Sequence, residues 1–321
     1  MLFDQLEQEV SWYSLMDVDT TDLSYWLNWR FFLCALWILI AIIVALILII
    51  KNEVFNKKKN GENGEDPVGI LYEDETWRTS LKSLHPAWLL VYRLFAFGVM
   101  LALLIAALII NGADALFFYT QWTFTLVTFC FGLASLHSIY GCYKYWNEVG
   151  DANTVRDQER NMTINPPGHD VTNGKTAGVW GYFFQIVFQV NLFLLVLCFL
   201  LKKAHPDSIN KQICAGAVGL TDSVFWFIIF PFLTPADHNL TFWDVSMHSV
   251  NAIFLLVDIA LNRLRFPFFR LAYFGLWTCI FIIFQWILHA RVSMWWPYSF
   301  LDLSSPYAPI WYVPMKMYAY C

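Results

Sequence analysis

Seven stretches of mostly apolar residues punctuate this chain, at roughly 31–50, 87–110, 119–143, 178–201, 209–233, 241–261 and 271–290. Each is about the length a helix needs to cross a hydrocarbon core of ~30 Å at ~1.5 Å per residue. Backbone groups in lipid must bond within their own segment, so helices are the required form. No strand-like alternation runs through the stretches, which excludes a barrel. The spacing therefore predicts an all-α, polytopic transmembrane bundle of about seven spans. Composition agrees: 58% of the 321 residues are hydrophobic and only 14% are charged, against about 25% charged in soluble domains. The net charge of −5 and the lack of a basic stripe give no sign of nucleic-acid binding.

The first 29 residues are acidic and contain no Lys or Arg. A cleavable signal peptide would open on a basic stretch, so the first span is expected to target the protein to the membrane. The seven cysteines hold no closely spaced pair in a loop, so neither a disulfide framework nor a zinc motif is expected. The stretches 51–67 and 147–175 are polar and read as disordered loops. Counting Lys and Arg gives twelve on the side of the first, third and fifth loops and the C-terminus, against seven on the other. That excess marks the first side as cytosolic and leaves the N-terminus outside. The glycosylation patterns at Asn161 and Asn239 then face the cytosol.

Ionisable residues within spans are costly and usually face a bundle interior. Here they are Arg93, His137, Asp222, His248 and Asp258, with His289 near the end of the last span. Gln185, Gln189 and Asn191 add amides. If spans alternate in direction, Arg93, His137, Gln185 and His248 all lie ~10 Å deep from one face. This arrangement predicts a polar chamber with His289 near its mouth. At ~100° per residue, His248, Asn251, Asp258 and Asn262 share one inward stripe of the sixth span. Plainer readings stand beside these: Arg93 snorkelling to headgroups, the histidines bonding helix to helix, and Asp258 with Asn262 capping a helix end.

The runs "MHSVNAIFLLVDIALNRLRFP" and "WILHARVSMWWPYSFLDLSSPYAPIWY" resemble the androgen-induced-protein and rolling stone family of polytopic membrane proteins, most clearly over 241–312. The similarity extends over 85–312 as a six-span core and points to a plant-type member. It leaves an acidic segment (1–30), an added span with a Lys-rich loop (31–84) and a short tail (313–321). The resemblance to the androgen-induced branch implies a threonine hydrolase acting on fatty-acid esters of hydroxy fatty acids. It implies His248 as the base and, by the Thr-Phe of "QWTFTLVTF", Thr123 as nucleophile, with Thr125 and Thr128 nearby. Resemblance to the rolling stone branch implies no hydrolase.

A Thr hydroxyl needs a base within ~3 Å, and a histidine suits that role near neutral pH. Asn251 is placed to orient the imidazole, and Arg93 to stabilise an oxyanion. With these span limits Thr123 falls ~14 Å from His248 along the membrane normal, and Thr128 closes much of that gap. Two other functions compete. One is a non-enzymatic receptor, transporter or membrane organiser, and the other a metal or haem site from His137, His248 and His289. The sequence calls for no cofactor. The expected surroundings are the lipid bilayer, in the endoplasmic reticulum or the plasma membrane, with a lipid ester as candidate substrate.

Overall fold

The computed structural model describes residues 19–56, 71–81, 84–159, 176–200, 226, 241–264, 267–298 and 301–312. Among them the chain is helical, with two isolated bridges (Tyr72–Thr176 and Thr79–Asn262) and no strand. The helices are α1 (Leu23–Trp26), α2 (Trp29–Ile50), α3 (Pro86–Asn111), α4 (Tyr119–Glu159) and α5 (Val179–Leu200), followed by α6 (Phe242–Leu261), α7 (Leu271–His289) and α8 (Ala308–Tyr312).

Five helical stretches are long and apolar enough to cross a membrane: Trp29–Glu53, Pro86–Phe117, Tyr119–Asn147, Phe242–Leu261 and Leu271–His289. α5 coincides with the fourth apolar run. The fifth run, 209–233, lies outside the described residues apart from Trp226, and so does Asp222. Part of the loop reading is corrected, because α4 continues through Glu159. No proline lies between Tyr119 and Pro166, so no proline stops the helix where the apolar run ends. Residues 51–56 likewise form a π-helical turn after α2.

Local sequence explains the helix starts. Asn28 caps α2 by accepting from the Phe31 N–H. His85 Nδ1 accepts from the Ala87 N–H at the start of α3, with Pro86 at the first helical position. Thr241 and Asp244 form a reciprocal capping box at the start of α6. Gly112 ends α3 at φ 64°, a conformation side-chain-bearing residues rarely adopt.

The chain divides into two compact units, residues 1–51 with 271–321 and residues 52–270. In the first, α2 packs on α7 with Phe31 against Trp286, ring centroids 5.2 Å apart. Cys34, Ile38 and Ala45 line the buried stripe of α2. In the second, α3, α4, α5 and α6 enclose a core that includes Met100, Phe124, Phe131, Phe184, Phe188 and Leu255. Large apolar side chains also cover the outside, among them Phe95, Ile109, Phe129, Leu136 and Ile253. Water would oppose such a surface at about 25 cal/mol per Å², whereas lipid does not.

One close approach fixes the second unit. A Cβ on Gly141 would lie 2.2 Å from Trp77 Cγ, so only glycine lets α4 meet this buried indole.

Candidate functional site

The deepest polar feature is a buried ion pair. Arg93 Nε donates to Asp258 Oδ1 at 2.7 Å and its Nη2 donates to Oδ2 at 3.3 Å. Arg93 Nη1 donates to Ser138 Oγ at 2.8 Å and to the Thr76 carbonyl at 2.9 Å. Asn262 Nδ2 donates to the same carboxylate at 2.7 Å. Neither Arg93 nor Asp258 has side-chain exposure, so Arg93 does not snorkel. The guanidinium also lies over the Phe184 ring, 5.6 Å from its centroid. One side chain thus ties α3, α4, α5 and α6 together.

This pair sets the direction of α6. Arg93 lies near the start of α3, while Asp258 lies near the end of α6. Tyr92 donates to the Phe254 carbonyl at 2.6 Å, and the Phe131 and Phe254 rings lie 6.2 Å apart. α6 is therefore antiparallel to α3 and parallel to α4. His248 precedes Asp258 by ten residues, so it lies roughly 15 Å along the bundle from the ion pair. The shared layer of Arg93, His137, Gln185 and His248 is corrected accordingly: His248 sits towards the opposite end. The alternating-span assumption had α6 reversed.

The reversal removes the main obstacle to a Thr–His pairing. With Phe254 level with Phe131, His248 is level with about residue 125 of α4. Thr123 and Thr128 bracket that level within ~5 Å along the axis. Both are buried, whereas Thr125 is exposed. The Thr123 hydroxyl donates to the Thr120 carbonyl at 2.8 Å, and that of Thr128 to the Phe124 carbonyl at 2.9 Å. Each hydroxyl is thus turned back onto its own helix.

His248 occupies a π-helical turn, Ser246–Val250, within α6. Such turns widen a helix locally and recur at functional sites. The His248 carbonyl accepts from Trp226 Nε1 at 3.0 Å. Fully buried Asn251 follows, its Oδ1 accepting from the Ala252 N–H at 2.8 Å. Among the described residues its Nδ2 has no hydrogen-bond partner, nor do buried Asn191 Oδ1 and Gln121 Nε2. Asn191 Nδ2 reaches the Leu126 carbonyl at 3.4 Å, which places it near the same level. Three helices therefore carry such amide atoms at about the level of Thr123, Thr128 and His248.

The other sequence-derived residues lie elsewhere. His137 Nε2 is 3.2 Å from the Trp180 carbonyl, and its ring lies 5.2 Å from Phe184. Gln185 Oε1 accepts from Arg270 Nη1, and Arg270 Nε donates to Glu53 at 2.7 Å. This second buried arginine was not read from the sequence. It borders the polar end of the sixth-to-seventh connection, where it looked like an ordinary flanking charge. His289 belongs to the first unit. Among the described residues, no group of three His, Cys, Asp or Glu side chains is placed to hold a metal ion.

Together these features define an all-α bundle whose apolar helices fit a lipid bilayer. No family model, curated protein or solved structure matches the chain.

Proposed function

We propose that this chain is a multi-pass integral membrane protein that hydrolyses a lipid ester within the bilayer. The nucleophile is Thr123 or Thr128, and His248 is the base. The observation that carries this reading is the direction of α6, which brings His248 level with the two buried threonines. The resemblance of residues 247–267 to the androgen-induced-protein family points to the same histidine and to fatty-acid esters of hydroxy fatty acids as the substrate class.

In this reading the threonine hydroxyl rotates away from its own helix and passes its proton to His248. Its oxygen attacks the ester carbonyl carbon, and the bond to the alcohol oxygen breaks. The departing alkoxide recovers the proton from the imidazolium. Water, deprotonated by the same imidazole, then frees the acid and regenerates threonine. The Asn251 and Gln121 amide N–H groups are donors suited to the developing oxyanion.

A second reading, a non-enzymatic membrane organiser, receptor or transporter, is favoured by the Arg93–Asp258 pair. Every guanidinium nitrogen there already has an acceptor, so the pair ties helices together.

Fluorophosphonate labelling of the detergent-purified protein separates the two. Hydrolysis requires that wild type is labelled, and that His248→Ala and one of Thr123→Ala and Thr128→Ala are not. Equal labelling of wild type and all three variants, or no labelling of a folded wild type, rules out the hydrolase.

A further inference from the structure

His289 ends α7 and is fully buried. Its Nδ1 lies 2.8 Å from the Gln285 carbonyl, and its Nε2 lies 3.2 Å from the Trp295 carbonyl. A carbonyl oxygen only accepts, so both ring nitrogens must donate for both contacts to be hydrogen bonds. A neutral imidazole has one N–H, and only the imidazolium has two. In the neutral ring, one nitrogen lone pair would face a carbonyl lone pair.

Two further features favour the charged ring. It stacks on Trp296 with centroids 3.6 Å apart and planes 5° from parallel, a cation–π arrangement. It terminates a helix, where the aligned peptide dipoles favour positive charge. Burial opposes the charge. Among the described residues, the other ionisable groups of the packed elements are Asp19, Asp22 and Tyr25 at α1, Arg30 and Cys34 on α2, Tyr273 and Cys279 on α7, Arg291, Tyr298 and Asp302 after it, and Tyr307 and Tyr312 at α8. Tyr25 donates to Asp302 at 2.8 Å and accepts from Trp296 Nε1 at 3.1 Å. Burial, then the Asp302 charge, hold its phenol well above the usual range, so it stays neutral. Arg30 donates to the Ser304 carbonyl.

We propose that His289 is a proton-operated latch. Protonated, it fastens the Trp295–Trp296 segment to the end of α7 through two N–H donors and a stacked indole. Deprotonated, it loses one donor and most of the cation–π attraction, and the segment loosens. The latch is closed at low pH and opens as pH rises through the ring's own titration.

Two measurements on the full chain in detergent test this between about pH 5 and pH 8. The first is ring nitrogen NMR of histidine-labelled protein, with the His289 signal assigned by its loss in His289→Gln. The second is amide hydrogen exchange over residues 290–298, corrected for the intrinsic pH dependence. The expected result is a doubly protonated ring at the acid end. As it titrates, protection of 290–298 should fall on the order of tenfold. His289→Gln should show no such pH dependence. If that variant does not fold, the exchange profile of the wild type alone decides. A ring that stays neutral in one tautomer throughout, or that titrates without changing exchange at 290–298, overturns the latch.

Discussion

Asp258→Asn isolates the contribution of the buried ion pair. The carboxylate takes two bonds from Arg93 and one from Asn262 Nδ2. An amide offers one oxygen, so its NH2 must face either the guanidinium or the Asn262 amide, donor against donor. Arg93 would keep Ser138 and the Thr76 carbonyl as acceptors, yet its charge would be uncompensated. Removing one partner of a buried pair typically costs about 3–5 kcal/mol. Replacing both partners with apolar residues of similar volume costs much less. We therefore expect Asp258→Asn to lose about 3–5 kcal/mol, and Arg93→Met with Asp258→Leu to recover most of that loss. The assay is thermal unfolding in detergent followed by a thiol-reactive dye, because Cys34, Cys130 and Cys279 are buried in the folded chain. A loss below about 1 kcal/mol for Asp258→Asn, or a double variant no better than the single, would refute the hub.

Gly141→Ala places a methyl group 2.2 Å from Trp77 Cγ and should cost about 1–3 kcal/mol. Gly132→Ala meets only the Phe97 ring at 3.2 Å and should cost less in the same assay. Glu53→Gln removes the carboxylate facing fully buried Arg270. It should lower the midpoint more than Glu73→Gln, which breaks the more exposed contact with Lys144. Tyr25→Phe deletes the hydroxyl that joins Asp302, Trp296 and the Leu303 N–H. A loss of about 1–3 kcal/mol is expected, with faster hydrogen exchange at 301–304.

The helices were legible because a run of twenty apolar residues has few other fates. α2, α3, α6 and α7 begin within two residues of where those runs do. The polar interior was only partly legible. Asp258 and Arg93 each stood out as a charge needing a partner, but pairing them requires the direction of α6. Alternation of spans gave the wrong direction and placed His248 beside Arg93. The Glu53–Arg270 pair joins positions 217 residues apart, and nothing in either local sequence points to the other. The π-turn at Ser246–Val250 left no periodic signal, since one extra residue in a turn barely shifts an apolar stripe. The amides Asn191, Asn251 and Gln121 were visible as polar residues. Their shared level in the far half of the bundle was not.

Placing His248 level with Thr123 and Thr128 rests on α6 running parallel to α4. Spin-label distances from exposed Val245 test this most directly, on a background with the native cysteines replaced. One label pair joins Val245 to exposed Thr125, the other Val245 to exposed Ile139. Parallel helices in the observed register put Thr125 within ~5 Å of the Val245 level and Ile139 ~25 Å beyond it. The expected result is a short distance to Thr125 and a clearly longer one to Ile139. The reverse order would place His248 with Arg93 and contradict the proposed pairing.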